Sequence, residues 1–215
     1  MREVEFANGE YYHIFNRGVE KRKIFLDDFD IQRFFKSMAE FNSVEPIGSI
    51  YENSFNKKDE TSQLGHRVSK LRLIELIAYS LNPNHYHLIL KQIKEKGIEK
   101  YMHRLGMGYA KYFNNKYKRS GSLFQGKFKA VLIENNEQLL YTNAYVNLNF
   151  KVHSYDKKVD LFKTSWNEYV GENNENFCKK DIILEQFENI SDYKNYADDS
   201  LNMILENKKR YKELE

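Results

Sequence analysis

Two short patterns in this chain carry chemistry. In His85-Tyr86-His87 two imidazoles stand two residues apart. On a strand, alternation turns both to one face and Tyr86 to the other, so one divalent ion can meet both rings if a third ligand arrives from elsewhere. In the second pattern Tyr145 and Asn149 are four apart, which on a helix puts a phenol and an amide on one face about one turn from each other. An amide oxygen at Asn149 is a hard third ligand, and a mixed imidazole and oxygen set suits Mg2+ or Mn2+ better than a closed structural zinc site. Tyr145 would then lie beside the metal. Each pattern also has a bland reading, as partly exposed strand histidines and as a packing tyrosine. Spacing alone does not separate Tyr145 from Tyr141, one turn earlier.

These residues need elements to position them. Tyr11 to Asn16, rich in aromatic and β-branched residues and bounded by Arg17-Gly18, reads as a strand. Asp27 or Asp28 caps a helix through about Glu40, with Ile31, Phe34, Phe35 and Met38 on one stripe. Asn42 to about Ser69 is polar and reads as a long loop with a short strand at Gly48 to Tyr51. The apolar runs Leu71 to Leu81 and His85 to Leu90 flank Asn82-Pro83-Asn84, a hairpin signal in which Pro83 removes no needed ladder donor. Ile98 to about Lys118 is helical in pattern, Ser120-Gly121-Ser122 breaks it, and Phe124 to Ile133 returns as a strand. A helix from Asn135 or Asn136 to about Phe150 follows, with Gln138 placed to complete a capping box. Lys157 to Glu215 reads as polar helices and loops around anchors such as Trp166 and Tyr169.

Composition bounds the answer. With 215 residues, 41% hydrophobic content and two prolines, the chain fits one domain with an appendage better than two equal domains. The boundary is expected near residue 155, with a catalytic domain over 1–155 and a polar, mainly helical extension over 156–215. A lone Cys178 excludes a disulfide framework and an all-Cys zinc site. The opening residues lack the apolar core of a signal peptide, and no run approaches the roughly 18 apolar residues of a membrane span. A cytoplasmic, nucleoid-associated protein without membrane contact is expected. Net charge is only +3, but it is unevenly placed: Lys100 to Ile133 holds eight bases and no acid, while Glu168 to Glu215 holds twelve acids and seven bases. The basic stretch interleaves Tyr101, Tyr109, Tyr112, Phe113, Tyr117, Phe124 and Phe128, the make-up of a surface that grips phosphates and stacks bases. Its competing reading is an amphipathic helix with a solvated basic face and aromatic core contacts.

Taken in order, the motifs resemble a known family. His85-Tyr-His87 after Asn82-Pro83-Asn84, followed about sixty residues later by Tyr145-Val-Asn-Leu-Asn149, is similar to the single-tyrosine transposases of the HUH superfamily, above all the REP-associated tyrosine transposases. Tyr12-His-Ile-Phe-Asn16-Arg17-Gly18 resembles their opening strand. Ser120-Gly121-Ser-Leu-Phe124-Gln125-Gly126-Lys127-Phe128 resembles their Gly-x-Leu-Trp-Gln-Gly-Arg-Phe segment, and Ser165-Trp166-Asn-Glu-Tyr169 their Trp-Ser-Ser-Tyr segment. Five ordered motifs thus span most of residues 11–170. The departures are Asn147 and Phe150, where the family usually has Glu and Pro after the tyrosine, and Tyr86, bulkier than the usual Val or Ile.

The resemblance implies an α+β fold: a central antiparallel, ferredoxin-like sheet with the two histidines on a middle strand and helices packed on one face. It implies a metal-dependent single-stranded DNA endonuclease and strand transferase. His85, His87 and Asn149 would hold Mg2+ or Mn2+, Tyr145 would form a 5′-phosphotyrosine intermediate, and hairpin-forming, REP-like palindromic DNA would be the substrate. No ATP is implied, in keeping with the absence of a Gly-rich phosphate loop. Expected DNA contacts are Asn16, Arg17, Arg104, Lys111, Lys116, Lys118, Arg119, Gln125, Lys127 and Lys129; Lys127 and Lys129 are also candidates to favour the phenolate, although the sequence does not place them. For Asn16 and Arg17 the alternative is a turn in which Asn caps the backbone and Gly18 takes positive φ. His13 and His103 read as structural or surface residues. A monomer or homodimer fits equally. Two other functions compete: a catalytically silent hairpin-DNA-binding regulator, and a metallohydrolase that activates water and forms no covalent intermediate.

Overall fold

The computed structural model describes residues 4–45, 71–156, 161–173 and 175–213. The expected loop from Asn42 to Ser69 lies outside the described residues from 46 on, and so does its short strand at Gly48 to Tyr51. Among the described residues five strands make one antiparallel sheet, β1 (Tyr11–Arg17), β2 (Ile74–Asn82), β3 (His85–Gln92), β4 (Lys129–Ile133) and the two-residue β5 (Lys163–Thr164). Their order is β4-β1-β3-β2-β5, which makes β3, the strand of the two histidines, the middle one. β2 and β3 form the hairpin around Pro83, whose carbonyl accepts from Ile24 N at 2.7 Å and Phe25 N at 3.2 Å. The turn thereby anchors the chain that leaves β1.

Strand alternation divides the sheet into two unlike faces. Tyr12, Ile14, Tyr86, Leu88 and Leu90 are buried on one. Over it lie α1 (Asp28–Glu40) and α2 (Gly97–Lys116). Phe34 of α1 packs 5.3 Å from Tyr86 and 4.8 Å from Tyr109 of α2, ring centre to ring centre. Close approach of the two helices requires Gly108, where a Cβ would come within 2.8 Å of the Phe41 ring. His85, His87, Ser80 and Asn82 belong to the other face. There sit α3 (Asn136–Asn147), the one-turn α4 (Asn149–Val152) and, behind them, α7 (Ile190–Glu213), after the short α5 (Trp166–Tyr169) and α6 (Asp181–Leu184). The expected antiparallel sheet with packed helices is present. Helices on one face describes α1 and α2, and the histidine face is covered as well, by α3 with α7 outside it.

Local signals account for most boundaries. Asp27 caps α1 by accepting from Asp30 N at 3.0 Å. Asn135 caps α3 by accepting from Gln138 N at 2.8 Å, while Gln138 Oε1 accepts from Glu134 N instead of Asn135 N, a capping box displaced by one residue. The helix expected through Phe150 breaks at Leu148, where φ is −101° and ψ 13°, and resumes as α4. The strand expected from Phe124 starts only at Lys129. Before it the chain makes a single bridge, Gly18 to Phe124, and turns at Gly126 with φ +71°. Gly18 itself has φ −62°, against the expected positive value. It is glycine for space, because a Cβ would fall 2.2 Å from the Arg22 carbonyl oxygen.

Candidate active site

On the histidine face the side chains converge at the end of the β2–β3 hairpin. His85 pairs in register with Asn82, and His87 with Ser80 on β2 and Phe15 on β1. Asn149 Oδ1 lies 3.2 Å from His85 Nε2, and Asn82 Nδ2 donates towards both, at 2.9 and 3.2 Å. His85 Nδ1 is 2.7 Å from Asn84 Oδ1, an acceptor, so the ring proton is on Nδ1 and the lone pair on Nε2. His87 Nδ1 stands 2.9 Å from His13 Nε2. Tyr145 of α3 lies edge-on to His87 at 5.4 Å and to His13 at 6.0 Å. Tyr141 instead packs against the small apolar cluster that α3 and α4 share with α7. Of the two tyrosines that spacing left open, Tyr145 is the one against the histidines, within a single chain.

The rings are neutral in this setting. Burial lowers the pKa of His13 to about 4 and that of His87 well below the imidazole norm, with His13 and His85 adding to the latter. Burial also lowers His85, against the pull of the Asn149 oxygen, and Arg17 adds to the lowering. Tyr145 is raised by burial while the Asn149 amide beside it works towards phenolate. A buried phenol without a counter-charge is thus a poorer nucleophile than one in water. Asn149 Nδ2 is buried and completes no hydrogen bond within the fold.

Among the described residues no three of His, Cys, Asp and Glu are grouped to hold a metal. A site here would take its third donor from an amide. The donors present fit that role: two imidazoles and a carbonyl-type oxygen, of which His85 Nε2 and Asn149 Oδ1 are already 3.2 Å apart, close to the roughly 3 Å between adjacent ligands of a small octahedral ion. Both converge on one amide hydrogen of Asn82, the kind of positive point a cation replaces.

A cleft of about 540 Å³ opens over these groups. Arg17, Lys21 and Lys129 give it positive walls, Asn16, Gln125, His153 and Tyr155 complete them, and no carboxylate is among the described lining residues. His153 lies 4.8 Å from His85, ring to ring. Sequence reasoning did not single out His153, Lys21, Asn82 or Asn84. His153 follows Asn149 by four, the same spacing that joins Asn149 to Tyr145, and that was the available signal.

The expected DNA contacts divide. Asn16, Arg17, Gln125 and Lys129 line the cleft. Asn16 is buried and bound to backbone, donating to the Gly126 carbonyl and accepting from Arg17 N, so its turn-capping alternative describes it. Arg17 is exposed and its Nε donates to Gln125 Oε1. Lys127 lines a separate groove, between α2 and the 121–128 segment, together with Lys100 and His103. Lys129 is therefore the one of the two lysines beside Tyr145. Lys111 is exposed on α2 and Lys118 follows that helix. Arg119 bonds to Asn114 Oδ1.

Two cations are spent inside the fold. Lys116 Nζ reaches Asp27 at 2.7 Å and Asp30 at 2.8 Å. Desolvation opposes its charge, but those hydrogen bonds raise its pKa above the ordinary lysine value. Arg104 donates to the carbonyls of Ser43 and Val44. Both are held by groups of the fold itself, and a DNA contact would have to share them. The stacking surface expected of the basic stretch is corrected, since Tyr101, Tyr109 and Phe113 are buried, with the hydroxyls of Tyr101 and Tyr109 donating to the carbonyls of Met38 and Ile24. Aromatic core contacts beneath a basic face describe α2.

Beneath Tyr145 the chain's departure from the expected motif has a structural partner. Asn147 Nδ2 donates to Tyr193 Oη at 2.8 Å, Ser165 Oγ donates to Asn147 Oδ1, and Tyr193 Oη donates to Asn143 Oδ1 at 2.8 Å. Asn143 Nδ2 donates in turn to Tyr169 Oη, which reaches the Ile77 carbonyl in the β2 bulge at 2.8 Å. All are buried. This network ties the tyrosine helix to the sheet and to α7.

Comparison with known proteins bears on the same region. Residues 50–149, which include both histidines, Tyr145 and Asn149, match the family described as Transposase IS200 like. No curated protein matches the chain. Among solved structures, the REP-associated tyrosine transposase bound to a REP hairpin is similar, with a TM-score of 0.50 and 12% sequence identity over 80% of this chain and 85% of that one. At that identity the likeness is one of fold. Among the described residues no helix is long and apolar enough to cross a membrane.

Proposed function

Because residues 50–149 carry the IS200-like transposase family's sequence and the fold is that of a REP-associated tyrosine transposase, we propose that this protein cleaves and rejoins hairpin-forming single-stranded DNA through a covalent tyrosine intermediate. The observation that carries the reading is the meeting, in one positively lined cleft, of Tyr145 with His85 and His87, with Asn149 buried against His85 behind it. His85, His87 and Asn149 would hold a divalent ion, Mg2+ or Mn2+, which when bound draws charge from the scissile phosphate and offsets the penalty that burial puts on the phenolate. Arg17, Lys21 and Lys129 receive the strand's phosphates. The Tyr145 oxygen attacks phosphorus, the bond from phosphorus to the 3′ oxygen breaks, and the products are a 5′-phosphotyrosine and a free 3′-OH. A second strand's 3′-OH reverses the step, returning the proton to the phenol. The linkage conserves the phosphodiester, so no nucleotide cofactor is required. The meeting of tyrosine and histidines within one chain supports a monomer as the cleaving unit, with the homodimer as the alternative. The substrate is a palindromic, REP-like hairpin with a flanking single strand, and the setting is the cytoplasm, at the nucleoid.

The test is incubation of the protein with end-labelled single-stranded hairpin oligonucleotides and Mn2+ or Mg2+, followed by denaturing gels. A protein-linked product is expected, lost in Tyr145→Phe and His85→Ala and kept in Tyr141→Phe. Hairpin binding with no adduct on any oligonucleotide would replace this reading with that of a non-cutting regulator, and cleavage surviving Tyr145→Phe would replace it with a hydrolase.

A further inference from the structure

His87 differs from His85 in what holds its inner nitrogen. His85 Nδ1 faces an amide oxygen, whereas His87 Nδ1 faces another imidazole, His13 Nε2, at 2.9 Å. A contact of that length between two ring nitrogens contains one proton and one lone pair, so the two rings must agree on which is donor. If His13 donates, the His87 proton moves to Nε2 and the ring has no lone pair left for a ligand. If His87 donates, Nε2 keeps its lone pair. At His85 the neighbours make the choice: Asn84 Oδ1 faces Nδ1 and sets the proton there, and Asn82 Nδ2 donates towards the Nε2 lone pair that results, whereas His87 has His13 as its ring-nitrogen partner. His13 is also geometrically constrained. It lies on β1 diagonal to His87, its ring 22° from parallel at 5.1 Å, with Phe15 at 5.6 Å from the same His87 ring.

We infer that His13 is a positioning residue for His87: its Nε2 accepts the His87 Nδ1 proton and thereby holds His87 in the tautomer whose Nε2 can ligate a divalent cation. It serves His87 as Asn84 serves His85, the outer partner that sets tautomer and ring orientation in a metal site. His13 lies outside residues 50–149 and is not among the residues that line the cleft. The inference rests on the metal-dependent reading above, and its test is read without DNA.

The first measurement is the ring tautomer of His87 in the metal-free protein, from two-bond 15N–1H correlations of the histidine side chains at neutral pH. The expected state is the Nδ1–H tautomer. The second is Mn2+ binding, followed by the paramagnetic resonance of free Mn2+. His13→Phe, which keeps a ring but no acceptor, is expected to weaken Mn2+ binding by about 10- to 100-fold. His13→Gln, which restores an acceptor oxygen, is expected to lose less than about tenfold and to keep the tautomer. An Nε2–H His87 in the wild-type protein, or unchanged Mn2+ affinity in His13→Phe, overturns the inference alone. Absence of Mn2+ binding by the wild-type protein removes the metal reading and the inference with it.

Discussion

The two faces of the β1–β3 sheet are built from alternate residues of the same strands and are satisfied in different ways. On the face under α1 and α2, Tyr86, Tyr101, Tyr109 and Phe34 fill the interior, and the hydroxyls of Tyr101 and Tyr109 close on backbone carbonyls. That face is packed and internally complete. Its neighbour, one residue along, holds imidazoles with lone pairs, a buried amide nitrogen without a partner and a phenol that burial makes less acidic. The first face is closed, and the second, beside its own packed network, retains polar groups that the fold leaves open and that the proposed cation and phosphate would complete. Changes on the two faces are therefore expected to separate activity from folding.

The largest effect expected is on the polar face. His85→Ala should abolish the DNA adduct while leaving the melting temperature near that of the wild type, because it removes a desolvated polar ring; a collapse of the melting temperature would place the histidine among the stabilising residues. The mirror change, Tyr109→Ala, should cost about 3–5 kcal/mol in urea unfolding and leave adduct formation per folded molecule unchanged. Between the faces, Asn147→Leu strands the partners Tyr193 and Ser165 and should cost about 1–3 kcal/mol and slow the adduct, since it loosens the helix carrying Tyr145. Loss of the α3 cap in Asn135→Ala should cost about 1 kcal/mol. Smallest is a pH effect: the Lys116 hydrogen bond holds Asp27 below the usual carboxylate pKa. Its contribution is present above the unfolded-state value and lost as pH falls through the folded one. The melting-temperature gap between wild type and Asp27→Asn should accordingly close on acidification below about pH 4.

What the sequence makes legible is mostly local. The hairpin around Pro83, the caps at Asp27 and Asn135, and the one-turn spacing of Tyr145 and Asn149 depend on neighbours within a few residues, and the fold has them all. The basic, aromatic stretch misleads because composition gives no facing: Tyr109 reads as a stacking ring until α1 covers it. The partners of Lys116 are illegible for the same reason, its carboxylates being 86 and 89 positions away. His13 looked structural because only the register of β1 against β3 brings it beside His87. Asn147 reads as a departure from the family pattern, and its partners Ser165 and Tyr193 lie in segments whose packing no periodicity reveals.

The network under Tyr145 also orders events in time. Synthesis runs from the N-terminus, so both histidines, Tyr145 and Asn149 leave the ribosome before Tyr193 does. Until that hydroxyl arrives, the buried network of Asn143 and Asn147 lacks one member, and the helix of Tyr145 is held to the sheet by only part of its final contacts. A nascent chain can thus complete its sheet while its tyrosine is still unseated. Emergence of α7 therefore completes the seat of Tyr145, so that in the proposed chemistry the phenol would be positioned only once that helix has been made.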